Sequence, residues 1–217
     1  MAKYKGGIEI SGSLNDLVFY NLNGVQVVRK KSGFSKENFE ENPNYAKVRQ
    51  NSSEFGHCSK AGKLLRQTLQ PFIGDCGDKY MYQKFAKIMT QLKDLDSINP
   101  KGQRRIENGI ATEAGKSILP DFKFGILDNV VNKINKHDSL FTKPFNLTGR
   151  TSAKQIQLLT LKPNFDDNTI DVTEQKFDIT KTAVYEFNYK YDDDDFLLHF
   201  VVLRNEEKVF NAGFVTF

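Results

Sequence analysis

Hydrophobic and polar positions change rhythm twice along this chain. Residues 14–20 (LNDLVFY) and 25–31 (VQVVRKK) are short apolar-rich runs flanking Asn21-Leu22-Asn23-Gly24. Asn-Gly tolerates the positive φ of a tight turn, so the two runs predict a β-hairpin. The second strand ends in Arg29, Lys30 and Lys31, a cluster suited to discouraging edge pairing. From Ser32 to Asn42 the sequence turns polar and acidic, with Gly33 marking a break.

A helical rhythm follows, from about Asn44 to Leu69. Asn42 is placed to cap it and Pro43 to occupy its first position, where a missing N–H costs nothing. Val48, Phe55, Leu65 and Leu69 fall on one broad face, and Lys47, Lys60 and Lys63 fall outside it. Within this helix the stretch Arg49–Arg66, RQNSSEFGHCSKAGKLLR, joins a cationic surface to Gly56, Ala61 and Gly62, which are small enough to admit a neighbouring backbone. Pro71, Gly74 and Gly77 predict a break before a second helix over about 78–93. Its stripe of Met81, Phe85, Ile88, Met89 and Leu92 has the spacing of core packing. After a loop containing Asn99-Pro100, a shorter helical piece spans about 104–119, weakened by Gly109 and Gly115.

At Pro120 the rhythm shortens to that of strands. Seven runs qualify: 121–125, 143–148, 154–162, 168–173, 183–191, 196–204 and 208–217. In 183–191, Tyr185, Phe187, Tyr189 and Tyr191 alternate with Glu186, Asn188 and Lys190, the period of a half-buried strand. The last two runs are almost continuously apolar, which predicts cover on both faces. The expected fold is therefore α+β: a β-hairpin and a helical hairpin over 1–119, then an immunoglobulin-like antiparallel β-sandwich over 120–217.

Composition adds two constraints. Of 217 residues 39% are hydrophobic and 27% charged, an ordinary globular balance, and 18 Phe and 8 Tyr without Trp favour sheet. Charge is uneven: residues 1–119 carry 19 Lys/Arg against 12 Asp/Glu, and residues 120–217 carry 12 against 15. Such a molecule can be oriented before a charged partner. The opening MAKYKGGIEISG lacks the apolar region of a signal peptide, which makes the cytoplasm the default compartment, and no apolar run is long enough to span a bilayer. Cys58 and Cys76 are too few for a disulfide scaffold and are expected as free thiols.

Chemistry-bearing motifs are sparse. Gly56-His-Cys-Ser-Lys-Ala-Gly62-Lys63 has five residues between its glycines where a phosphate loop has four, and Leu64 stands where that loop needs Ser or Thr. His57, His137 and His199 are too far apart for a local zinc motif, and His57 and Cys58 point in different directions on a helix. His199, in an apolar strand, reads as a structural residue. Asp192, Asp193, Asp194 and Asp195 could attract a hard cation, but they join two strong strands and read as a turn. The basic side of the first helix, Lys47, Arg49, Lys60, Lys63 and Arg66, is the candidate partner-binding surface. It lacks a nucleic-acid recognition motif, and the acidic half would repel a long polyanion.

Three stretches, GSLNDLVFYNLNGVQVVRKK, NPNYAKVRQNSSEFGHCSKAGKLLR and RRIENGIATEAGKSILPDFKF, resemble segments of a family of small proteins from Bacteroidota. They cover the first 125 residues at intervals, the middle one being the most specific, and the remainder is similar only in general character. Within that family the chain looks like a plug that closes the periplasmic mouth of the type 9 secretion translocon, a very large outer-membrane barrel. The resemblance implies steric occlusion without catalytic residues or cofactors, that barrel as partner, a periplasmic location, no direct membrane insertion, and a monomer until bound. Two other classes fit the same residues. A virion or surface-assembly component would self-assemble with concentration, and an enzyme would need a cleft bringing a histidine to a carboxylate.

Overall fold

The tight turn expected near Asn21 is built from two residues with positive φ, Asn23 at 52° and Gly24 at 82°. Asn and Gly hold this conformation at little steric cost. The Asn21 carboxamide oxygen accepts from the Gly24 N–H at 2.7 Å, and Leu22 pairs with Val25. This computed structural model describes residues 2–3 (backbone only), 10–31, 35–137, 139, 143–180, 183–187, 191–192, 194–206 and 208–217. The chain divides into two units, Met1–Arg49 and Gln50–Phe217.

In the first unit β1 (Ala2–Lys3), β2 (Gly12–Leu14), β3 (Leu17–Leu22) and β4 (Val25–Lys30) form a sheet in the order β1-β4-β3-β2. The run expected over 14–20 is interrupted: Asn15, at φ 50°, and Asp16 make a second tight turn, across which Leu14 pairs with Leu17. β1 covers β4 only at Val27 and Val28, so among the described residues Arg29 and Lys30 follow at an uncovered side of the strand, as expected of edge protection. Arg29 also sits over the Tyr20 ring, 6.0 Å from its centre. Gly33 lies outside the described residues. The acidic stretch after it contains a helix the sequence reading missed, α1 (Lys36–Glu41), capped by the Ser35 hydroxyl accepting from the Asn38 N–H at 3.1 Å.

Asn42 caps the next turn as expected, accepting from the Asn44 N–H at 2.9 Å, and Pro43 opens a 3-10 turn that runs into α2 (Ala46–Ile73). Pro71 does not break this helix. It occupies the last turn, and Gly74, left-handed at φ 66°, ends the helix by donating to the Gln70 carbonyl. The buried seam is Glu54, Cys58, Ala61, Gly62, Leu65, Leu69 and Ile73. Val48 and Phe55, expected on the packed face, are 49% and 64% exposed, because the seam runs through the smaller residues beside them.

In the second unit α3 (Met81–Asp94) buries Phe85, Met89 and Leu92 against that seam, and Met81 and Ile88 pack alongside, as their spacing predicts. Gly62 meets Met89, and a Cβ there would lie 3.0 Å from Met89 Cγ. The expected helix over 104–119 is two, α4 (Ile106–Ala111) and α5 (Gly115–Ile118), parted at Thr112, whose hydroxyl accepts from the Gly115 N–H. Gly109 is a point of backbone contact: a Cβ there would lie 1.8 Å from the Leu92 carbonyl oxygen.

Among the described residues eight strands follow: β5 (Asp128–Asn129), β6 (Ile134–Lys136), β7 (Pro144–Leu147), β8 (Gln155–Asn164), β9 (Thr169–Asp178), β10 (Val184–Glu186), β11 (Leu198–Arg204) and β12 (Val209–Val215). They form a five-stranded sheet, β5-β12-β11-β8-β9, and a three-stranded sheet, β10-β7-β6. Pairing is antiparallel except between β5 and β12. The run expected over 121–125 is not a strand. Phe122 and Phe124 are core residues on a turn, with their rings edge to face at 4.9 Å. Over 183–191 the structure has β10, with Tyr185 and Phe187 buried, and Asn188, Tyr189 and Lys190 lie outside the described residues.

Period-two alternation places the five-stranded sheet between two cores. Leu159, Leu161, Leu198, Phe200, Val202 and Phe214 face the helices, whereas Ile156, Leu158, Val201, Leu203 and Val215 face Phe145 and Tyr185 of the smaller sheet. The protein is thus α+β with a sandwich-like pair of sheets, and β11 and β12 are covered on both faces as their apolar runs predict. The boundary expected at Pro120 marks a change of secondary structure inside one core, because residues from Cys58 to Phe214 share that cluster. The division instead falls between Arg49 and Gln50.

Candidate functional site

The buried seam of α2 contains one charge, Glu54, at 2% exposure. Its carboxylate is saturated. Oε1 accepts from the Gly102 N–H at 2.6 Å and Arg104 Nε at 2.8 Å, and Oε2 accepts from Arg104 Nη2 at 2.7 Å and Lys93 Nζ at 3.1 Å. Lys93 and Arg104 also reach Asp94. The Arg104 fork holds the Glu54 carboxyl down at about 2, assisted by Gly102 and Lys93 and opposed by burial.

Asp96 is the second buried carboxylate in this region. Burial would raise its pKa, but the Arg105 N–H and the Asn99 and Asn108 side chains donate to it, as do the Ile98 and Asn99 N–H groups, and hold it well below the usual range. Together the two carboxylates tie the Glu54 turn of α2, α3 and the 96–105 loop to one another. Every oxygen of Glu54 already has donors, so the group is built to hold structure rather than to accept a substrate proton.

His57 lies 3.3 Å from Glu107, with both side chains partly exposed, and its ring meets Phe165 edge-on. This is the histidine–carboxylate pair an enzyme reading requires. The adjacent thiol does not join it. Cys58 donates to the Met89 carbonyl at 3.5 Å, and burial pushes its pKa up to about 11, which disfavours the thiolate. Cys76 is also buried and raised, and both are free thiols as expected. His199 is wedged between the rings of Phe187 and Phe217, and burial, with the charge of Lys143, lowers it to about 3. His137 Nε2 lies 3.1 Å from the Asn146 carboxamide oxygen.

The acidic run behaves as a turn. Asp195 pairs with Lys162 at 2.8 Å and accepts from the Asp192 N–H, and Asp193 lies outside the described residues. Among the described residues no group of three or more acidic, histidine or cysteine side chains could hold a metal ion. An open cleft of about 480 Å³ runs along α3 over Ile88, Ile118 and Phe122, and Lys84 on its wall is bound to Asp78 at 2.6 Å.

Of the five expected partner-binding residues, Lys47, Lys60 and Lys63 are exposed. Arg49 and Arg66 are half-buried and occupied locally. Arg49 donates to the Phe39 and Asn42 carbonyls, and Arg66 to the Gly62 carbonyl at 3.1 Å. Lys47 and Arg49 belong to the first unit and the other three to the second. No protein family, curated protein or solved structure gives a match to this chain. Among the described residues no helix is long and apolar enough to cross a membrane.

Sequence reasoning missed the Glu54 cluster. The signal was present: Glu54 stands at the i, i+4, i+7, i+11 spacing of Cys58, Ala61 and Leu65, a carboxylate on an apolar seam. Such a charge requires buried partners.

Proposed function

We propose that the chain is a non-enzymatic interaction protein that acts as a plug, seating at the periplasmic mouth of a type 9 secretion outer-membrane barrel and blocking it sterically. The observation that carries this reading is the design of α2. Its inner face is locked by the saturated Glu54 cluster, while Lys60 and Lys63 project into solvent one turn apart. A helix anchored on its inner face and presenting exposed cations suits docking against acidic walls, where charge raises the association rate and sets orientation. A stable seat buries about 1,200–2,000 Å² in total.

The test is a binding measurement on the double variant Lys60→Glu, Lys63→Glu. Both side chains are exposed, so the fold should persist while affinity for the barrel falls and its salt dependence weakens. Binding equal to wild type would remove this helix from the mechanism. A surface-assembly component is the second reading, supported by exposed leucines on the N-terminal sheet, Leu14 at 65% and Leu22 at 51%. It requires oligomers that grow with concentration in sedimentation, whereas a plug stays monomeric until bound.

A further inference from the structure

We propose that the outer edge of β9 is a strand-addition site, which pairs along its backbone with an extended, basic segment of another protein. It is a different surface from the cationic side of α2 and does not depend on the plug reading.

β9 is an end strand of the five-stranded sheet, and among the described residues β8 is its one neighbour. The two edges of that sheet differ. β5 closes one with two residues, whereas β9 leaves the other with ten, in unbroken register and without proline. Soluble proteins ordinarily keep edge strands short, bulged, charged or interrupted by proline, because an open edge is a template for another strand. Of these devices β9 has Lys176, whose charge Glu174 offsets at 3.0 Å.

The direction of the backbone groups follows from the register. In an antiparallel ladder, hydrogen-bonded pairs alternate with pairs that do not bond. Pro163 pairs with Ile170 and has no N–H to give, so this pair is of the second kind and Ile170 turns its own N–H and C=O away from β8. Ile179, one step beyond the same register, donates to the Lys154 carbonyl at 2.8 Å, so odd-numbered residues face β8. Ile170, Val172, Glu174 and Lys176 therefore aim their backbone groups at the open side. At the far end the Tyr185 hydroxyl lies 3.5 Å from the Asp178 carbonyl oxygen, which limits the open stretch to about Ile170–Lys176. Tyr191 lies over the face of the sheet, on Lys162 and the Thr173 hydroxyl. Alternating donors and acceptors at this spacing are matched by an extended backbone, and in strand addition those bonds supply the affinity.

Charge selects the occupant. β9 carries Asp171, Glu174 and Asp178 against Lys176. Asp171 and Asp178 are exposed and make no salt bridge among the described residues; Lys162, opposite Asp171, is bonded to Asp195 at 2.8 Å. Side chains directly opposite across a ladder attract when their charges differ and repel when they match. A second copy of β9 would bring the same excess of carboxylate, whereas a basic segment neutralises it. Val172 and Phe177, 37% and 39% exposed, stand on opposite faces of the strand and suit β-branched residues between the basic ones.

The test uses the full-length protein and a fluorescein-labelled heptapeptide in which lysine and valine alternate, followed by fluorescence anisotropy and by amide exchange in NMR. The peptide should bind, and exchange of the Val172 and Glu174 N–H groups should slow at least tenfold. The same peptide methylated at every backbone nitrogen keeps its charges but cannot donate, and should bind at least tenfold more weakly. Val172→Pro removes an outward N–H and none from the β8 ladder, so it should weaken binding of the unmodified peptide by a similar factor. Circular dichroism checks that the variant is folded, and the methylated peptide on the wild-type protein carries the test if it is not. No binding, equal binding of the methylated peptide, or tighter binding of a peptide alternating glutamate and valine would each overturn the inference. A dimer in sedimentation with the same amides protected would give the edge to a second copy and overturn the assignment to another protein.

Discussion

Replacing Glu54 by Gln is the sharpest perturbation of this fold. The substitution keeps the size of the side chain but turns one acceptor oxygen into an NH₂ group facing Arg104 and Lys93, both of which are donors. The two cations then keep only Asp94, whose side chain is 52% exposed, as a carboxylate partner, and the buried position of Glu54, 2% exposed, loses its charge. Removing one member of a buried ion pair typically costs about 3–5 kcal/mol. The carboxyl gives a concordant figure, since a fall from 4.5 to about 2 corresponds to about 3 kcal/mol. Because the folded-state pKa is depressed, this contribution is complete above about pH 4.5 and drains away as pH falls towards 2. Urea titrations followed by circular dichroism at pH 7 and pH 3 measure both effects. At pH 7 the variant should lose about 3–5 kcal/mol, and the gap from wild type should narrow at pH 3. A loss under about 1 kcal/mol at pH 7 would refute the cluster as the lock on α2, as would a gap independent of pH.

Three further outcomes follow from the geometry. His199 is held neutral, near 3 against an ordinary 6.5, so wild-type stability should decline as pH drops below 6.5. His199→Phe should flatten that part of the profile, and an unchanged profile would contradict the assignment. Gly109→Ala would place its methyl 1.8 Å from the Leu92 carbonyl oxygen, an overpacking expected to cost at least about 1–3 kcal/mol and visible as a lower melting temperature. Cys58 and Cys76 are buried at 1% and 4% exposure, so an aromatic disulfide reagent should label neither until the protein unfolds. Rapid native labelling would show the helical core to be looser than described.

The elements most legible in the sequence are those whose local chemistry and tertiary role agree. Asn23-Gly24 and Asn42-Pro43 specify their turn and helix start through backbone preferences that tertiary packing leaves unchanged. The apolar runs of β11 and β12 announce cover on both sides, because only a strand between two layers lacks polar positions. Legibility fails where long-range contact reverses a local preference. Pro71 stays helical in a last turn, where the damage to the hydrogen-bond ladder is small. Phe122 and Phe124 read as strand from aromatic content, yet they fill the space between helices and sheet from a turn. Of the basic positions on α2, Lys47, Lys60 and Lys63 are exposed, as their place outside the apolar face predicts, while Arg49 and Arg66 are half-buried, because a guanidinium reaching a backbone carbonyl leaves no trace in spacing. Glu54 was overlooked for a related reason: its partners Lys93, Gly102 and Arg104 are about 40–50 positions away.

Affinity purification of the tagged full-length chain from its native cells, in mild detergent with quantitative mass spectrometry, tests the central claim most directly. The plug reading predicts recovery of one very large outer-membrane barrel at near-equal stoichiometry, reduced by Lys60→Glu, Lys63→Glu. Recovery of the chain alone, or only with copies of itself, would contradict it.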